Sequence, residues 1–336
     1  MGIKNVLFIL LAISIIELPY ILAMEQPTGE QITKIRRRIH PSDLYVTLLM
    51  GHNDQESSLY NIPLELIEMI IKHINYQLNE TSESLLPAIK FCDINKIEQL
   101  LTIPYIDVNR KDKDGNTPLI LSAQKNYSRI VTKLLDLGAN INAQNTNGNA
   151  ALYVTICQQR KEIIEILLNH NADPNIQNND GNTALMWLVT KKGQIVASLV
   201  EMLLNHNADP NIQNKRGNTA LMHAVISNGP KIIEILLKRN ADRDKQDNLG
   251  QTALIHAVSS RNAQIVQMLL DAQVDKNKQD NSGNTALINA IIRNNSEIVR
   301  ILLAANADRN KRNHSGQTAF QYAASNLEIM EMLNEQ

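Results

Sequence analysis

The chain has 336 residues, more than the about 250–300 that one compact core holds, so its length points to two domains or to an elongated array. Its 33 Lys and Arg against 34 Asp and Glu argue against a nucleic-acid binder with a basic stripe, and 43% apolar with 20% charged residues argues against intrinsic disorder. Only Cys92 and Cys157 are present, too few for a disulfide scaffold or a four-cysteine zinc site, and 4% aromatic residues leave little to wall a large pocket. One count asks for a reason: 40 of the residues are Asn.

Residues 1–23 read as a signal peptide. Lys4 precedes an apolar run over residues 6–16, shorter than the roughly 20 residues that span a bilayer, and Ala23 offers a small residue for cleavage. The expectation is an exported protein, secreted or periplasmic, with no membrane span after cleavage. Residues 24–58 are a polar linker. Residues 59–81 carry an amphipathic helix: Pro63 suits a first turn, and Leu66, Ile67, Ile70, Ile71 and Ile74 make an apolar stripe. Ile62, Pro63, Leu64, Glu65, Leu66 and Ile70 resemble the opening helix of an F-box. That resemblance implies docking on a host Skp-family adaptor of a ubiquitin ligase. The remainder of an F-box is not visible before Ser82, and the other reading is a helix that caps the apolar end of the array that follows.

From there the sequence repeats itself. Turn glycines fall at Gly115, Gly148, Gly181, Gly217, Gly250, Gly283 and Gly316, with spacings of 33 residues apart from one of 36. Each opens a motif such as Asn182-Thr183-Ala184-Leu185. A Leu-Leu pair follows, as at Leu167-Leu168 and Leu236-Leu237, then a tail such as Asn171-Ala172-Asp173-Pro174-Asn175. Thr at the head of the first helix can cap free N–H groups, and Ile163, Ile164, Leu167 and Leu168 form one apolar stripe on the second. One such pair cannot bury its own face, so stability must come from stacking. This pattern resembles the ankyrin repeat. The fold expected is an all-α solenoid of stacked helix-turn-helix units with protruding β-turn loops, about eight repeats over residues 82–336, the first and last atypical.

The departures from the family pattern carry expectations of their own. Where the family places His, this chain has Ile120, Tyr153, Met186, Met222, Ile255, Ile288 and Gln321, so apolar packing is expected to replace a hydrogen-bond relay. His223 and His256 lie one position later, where packing between repeats is expected. The helix-end Gly survives at Gly138, and Asn171, Asn207, Asn240, Gln273 and Asn306 take its slot elsewhere. Asn is the non-glycine residue best suited to a left-handed backbone. The three extra residues of the longer unit, near Lys191-Lys192-Gly193, are expected to bulge the turn between its helices.

No nucleophile motif, phosphate loop or metal-ligand spacing stands out, so neither an enzyme nor a cofactor is expected. His170 and His206 read as surface residues, and both cysteines as free thiols. By the resemblance, protein partners bind along a concave face of turn tips and first-helix ends, with no nucleic acid and with the chain a monomer. Candidate contact residues are Lys113, Asp114, Lys125, Asn179, Lys191, Lys215, Arg216, Ile226, Leu249, Ile292 and Arg293. Ile226 and Ile292 could equally pack under neighbouring side chains. The near-uniform amide rows at Asn116, Asn149, Asn182, Asn218, Gln251, Asn284 and Gln317, and at Gln144, Gln177, Gln213, Gln246 and Gln279, read as turn stabilisers. A signal peptide on such an array suggests a bacterial effector delivered to a host cell, or alternatively a periplasmic protein that assists an enzyme.

Overall fold

The computed structural model describes residues 84–103 and 106–335. The predicted signal peptide, the linker and the F-box-like stretch from Ile62 to Ile70 lie outside these residues. The described residues form two compact units that divide between Asn145 and Thr146. Their regular structure is all helical, with no strand among them.

The first unit holds helical residues 84–90 and helices α1 (Ile94–Leu100), α2 (Pro118–Gln124) and α3 (Ser128–Asp136). Leu85, Ile89, Ile97, Leu100 and Leu101 are buried, as an atypical first repeat requires. Ile94, at the first position of α1 and close to the exposed Cys92, is 39% exposed.

The second unit holds α4 (Ala151–Cys157), α5 (Lys161–Asn169), α6 (Ala184–Leu188), α7 (Gln194–Asn205), α8 (Ala220–Ile226), α9 (Pro230–Lys238), α10 (Ala253–Ser259), α11 (Ala263–Asp271), α12 (Ala286–Ile292), α13 (Ser296–Ala304), α14 (Ala319–Ala323) and α15 (Leu327–Asn334). Each first helix packs on its own second helix and on the first helices of adjacent repeats, so α4, α6, α8, α10, α12 and α14 form one layer. Ile163, Ile164, Leu167 and Leu168 are all essentially buried, and the same slots repeat along the unit at Ile233 and Leu236, Val266 and Leu269, and Val299 and Leu302.

Local chemistry sets the helix ends. The Thr183, Thr219, Thr252 and Thr285 hydroxyls accept from the backbone N–H three residues on, at 3.3–3.4 Å. Thr318 completes a reciprocal capping box with Gln321, which gives that residue of the vacated His slot a polar task. Ile120, Met186, Met222, Ile255 and Ile288 are buried as expected, whereas Tyr153 is half-buried and its hydroxyl keeps a hydrogen bond with Asn178. Second helices are capped by Asn262, Asn295 and Asn326. At the helix-two ends, Gly138 and all five of Asn171, Asn207, Asn240, Gln273 and Asn306 take positive φ, between 58° and 84°. A second left-handed set after the first helices, at Asn126, Gln159, Asn228, Arg261 and Asn294, was not anticipated from the sequence.

The longer repeat corrects an expectation. Its inter-helix turn borrows Val189 and Thr190 from the first helix, but the three additional residues enlarge the second. Helix α7 has 12 residues where α5, α9, α11 and α13 have 9. Aligned on Leu203-Leu204, the addition is an extra first turn, Gln194-Ile195-Val196. It forms because Val196 finds a buried site and Gly193, at φ 139°, lets the chain swing into the helix.

Gln273 holds a left-handed backbone, which costs an L-residue about 1–2 kcal/mol. Gln273→Gly is therefore expected to raise the stability of the chain by about 0.5–1 kcal/mol, after the entropy cost of glycine is subtracted. The urea unfolding midpoint measures this; an unchanged or lower midpoint contradicts it.

Candidate protein-binding face

The candidate face is built on the turns, and each turn is organised by the Asn or Asp three residues before its glycine. In the fifth repeat, Asn214 Oδ1 accepts from Arg216 N and Asn218 N, both at 3.0 Å. The backbone closes round it, with Gly217 N donating to Asn214 O at 2.8 Å and Asn214 N to Asn218 O at 3.1 Å. Asp247, Asp280 and Asn313 repeat the arrangement. In the first unit Asp112 does so beside Lys90, at 2.9 Å. Burial works against the charge of Asp112, but the bonds from Lys90 and Asn116 outweigh it and hold the carboxyl below its ordinary pKa.

At Asn214, Asp247, Asp280 and Asn313 the second atom of the side chain reaches helix one of the same repeat. Asn214 Nδ2 lies 3.2 Å from His223 Nε2, Asp247 Oδ2 lies 3.0 Å from His256 Nε2, and Asp280 Oδ2 accepts from Asn289 Nδ2 at 3.0 Å. In the last repeat Asn313 Nδ2 donates to the Tyr322 hydroxyl at 2.9 Å. His223 and His256 are thus tied to their own turns, a bond that the sequence reading did not anticipate. A turn-to-helix polar link survives in this chain, moved one position along the helix. The signal that could have revealed it is the recurrence of polar residues nine positions apart, Asn214 to His223 and Asp280 to Asn289.

Neighbouring turns are joined edge to edge within the second unit. Asn179 N donates to Asn147 O, Lys215 N to Asp180 O, Asn248 N to Arg216 O, Asn281 N to Leu249 O and His314 N to Ser282 O, at 2.9–3.1 Å. Side chains reinforce this ladder: Asn179, Asn248 and Asn281 Nδ2 each donate to the preceding tip, and Gln177, Gln213, Gln246 and Gln279 Nε2 donate both to their own turn and to the next repeat. The glutamine row is therefore structural, as its uniformity suggested. A separate set of bonds joins the tails, where Asn175, Asn211 and Asn277 Oδ1 accept from the backbone of the following repeat.

The ladder sorts the sequence candidates. Asn179 is exposed, but its amide is spent on Thr146 O at 2.7 Å. Arg293 is half-buried, with Nη2 on Ser259 Oγ at 3.1 Å. Lys191 rests its ammonium 3.8 Å above the Trp187 ring. Lys215 and Arg216 are exposed at one tip. Ile226, Leu249 and Ile292 are 47%, 63% and 49% exposed, so Ile226 and Ile292 are not covered by neighbouring side chains. In the first unit, Lys113, Asp114 and Lys125 are exposed.

Burial pushes the Cys157 thiol up to about 11 and, with the nearby Cys157 and Asp180, the Tyr153 hydroxyl up to about 12, so neither ionises readily near neutrality. His170 and His206 bond through Nδ1 to carbonyls of their own helices, Ile166 O and Met202 O. Among the described residues no cluster of three His, Cys, Asp or Glu could hold a metal, and no helix is long and apolar enough to cross a membrane.

The sequence matches the family model for ankyrin repeats (three copies) over residues 58–145, 125–201, 188–280 and 272–336. A curated relative, the ankyrin repeat protein FPV219 of fowlpox virus (strain NVSL), is 46% identical over 57 residues, which are 17% of this chain. The chain spans only 13% of the length of that relative. A similar solved structure is the crystal structure of the ankyrin repeat domain of Bcl-3, described as a unique member of the IkappaB protein family. It is 27% identical with a TM-score of 0.61, and the match covers 66% of this chain and 100% of that domain.

Two outcomes follow from the turns. A Cβ at Gly217, where φ is 80°, would lie 2.6 Å from Asn248 N, whereas one at Gly316, where φ is 74°, meets nothing within 4 Å. Gly316→Ala is expected to lose only the cost of a left-handed alanine, about 1–2 kcal/mol, and Gly217→Ala distinctly more. Equal losses in urea unfolding would contradict the ladder. Burial, with the nearby positive groups His256 and Arg216, holds His223 below its ordinary pKa of 6.5. Its contribution to stability is therefore present above pH 6.5 and is lost as pH falls through its lowered folded value. Between pH 7 and pH 5, the unfolding midpoint of His223→Gln should fall less than that of the wild type; a parallel fall would refute this.

Proposed function

We propose that this chain, a member of the ankyrin-repeat family, is a non-enzymatic scaffold that binds a protein partner across its turn tips and first-helix ends. The observation that carries this reading is the exposure of Ile226, Leu249 and Ile292 on a face whose backbone is already fixed by the tip ladder. Large apolar side chains in water, at slots where other repeats hold residues such as Gln124, Thr190 and Ser259 or Asn147, Asp180 and Ser282, are unexplained by folding and suit an interface. A pre-ordered face also spares a partner part of the ordering cost of binding.

The composition of residues 1–23 supports export, either for delivery to a host cell or for residence in the periplasm. For residues 59–81 we favour the role of a cap over that of an F-box, since the first ankyrin match begins at residue 58 and takes in the stretch from Ile62 to Ile70. A ubiquitin-ligase adaptor role is the second reading; it rests on those few residues alone.

Site-specific photo-crosslinking in the native cell tests the scaffold role. A photoreactive residue at Leu249 should capture a protein that the same residue at Glu234, on helix α9, does not. Capture from Glu234 alone, or equally from both, would overturn the assignment of the face.

A further inference from the structure

We propose, on the basis of that scaffold role, that the segment bound by the tip face is an acidic stretch of polypeptide followed by apolar residues. The face is polar in an ordered way. Lys191 and Lys192 follow the first helix of the fourth repeat, Lys215 and Arg216 stand at the tip of the fifth, and Lys215 is joined to Asp180, at the tip of the fourth, by the 3.0 Å bond between their backbones. Four cations against the one carboxylate of Asp180 give these tip and first-helix-end slots a positive excess. On the second helices cations and carboxylates instead pair with each other, Lys161 with Glu165 at 3.7 Å and Glu234 with Lys231 and Lys238 at 3.2 and 2.6 Å.

The apolar groups begin in the repeat of Lys215 and Arg216 and continue over the next two. Ile226 ends α8, Leu249 stands at the next tip and Ile292 ends α12, with the stacked α10 between the two helices. The tips are consecutive: Asn248 N donates to Arg216 O, and Asn281 N to Leu249 O. With helix layers about 8–10 Å apart, cations and apolar groups succeed one another over a length that one extended segment can span.

Charge complementarity selects the occupant. An acidic stretch would meet Lys191, Lys192, Lys215 and Arg216, and apolar residues downstream would remove Ile226, Leu249 and Ile292 from water. A nucleic acid could use the cations but would leave the three apolar groups wet. The Trp187 ring, on which a base could stack, lies under Lys191.

Fluorescence anisotropy with the full chain tests this with three labelled probes: a peptide of consecutive Glu followed by alternating Leu and Ser, the same peptide with Lys for Glu, and a single-stranded oligonucleotide of matched length. The acidic peptide should bind at least about ten-fold tighter than the other two, and more weakly as salt rises. Joint Lys215→Glu and Arg216→Glu substitution, at two exposed side chains, should weaken it about ten-fold and shift the preference toward the Lys peptide. Joint Ile226→Ser and Ile292→Ser substitution should weaken the acidic peptide without that shift; thermal midpoints check that each variant folds. Tighter binding of the oligonucleotide, equal binding of the two peptides, or indifference to both pairs of substitutions overturns the proposal. If the acidic peptide fails while Leu249 still captures a partner by crosslinking, the scaffold role stands and the proposed chemistry of the segment falls.

Discussion

The second unit depends on one short backbone bond, repeated from turn to turn. A peptide N–H at one tip reaches the carbonyl of the tip before it, and the close approach this needs is possible because the glycine beneath has no Cβ. The glycine's positive φ is also what closes the turn. One residue type thus satisfies two constraints at once, and the 33-residue spacing of glycines is the spacing of this bond. The helices supply most of the buried apolar surface, yet burial is non-directional and would tolerate sliding of one pair on the next. The tip ladder, the glutamine row and the tail bonds fix the register.

This division of labour separates what folding demands from what it leaves free. At a tip, the backbone is committed to its neighbour, and so are the Asn side chains that donate across the gap. Lys215, Arg216 and Leu249 share in the ladder through their backbones while their side chains remain exposed. Variation among equivalent slots is the mark of that freedom, and it concentrates in the few residues to which a binding role is assigned above.

Much of this was legible in the sequence because the constraints act identically on every repeat. The left-handed helix ends could be read from Asn in a glycine slot, and the structural glutamine row from its uniformity. Other features could not be read. The role of Asn214, Asp247 and Asp280 as turn organisers is hidden because Asn and Asp also fill tails and caps. The extra turn of α7 was misplaced because three residues can lengthen either a loop or a helix, and only a buried site for Val196 decides between them. Whether Ile226 and Ile292 were covered could not be decided, since a residue at the last position of a helix faces either way. Among the described residues, Asn recurs as helix cap, left-handed end, turn organiser and inter-repeat clip, each role repeated along the array.

Amide hydrogen exchange by NMR tests the central claim most directly. The backbone N–H groups of Asn179, Lys215, Asn248 and Asn281 belong to exposed residues at loop tips, where amides ordinarily exchange rapidly. If the tip ladder holds the second unit in register, these four will be protected to an extent comparable with the amides of the adjacent helices. If they exchange at the rate of free loop amides while the helices stay protected, the ladder is not formed in solution and stacking of the helices alone must set the register.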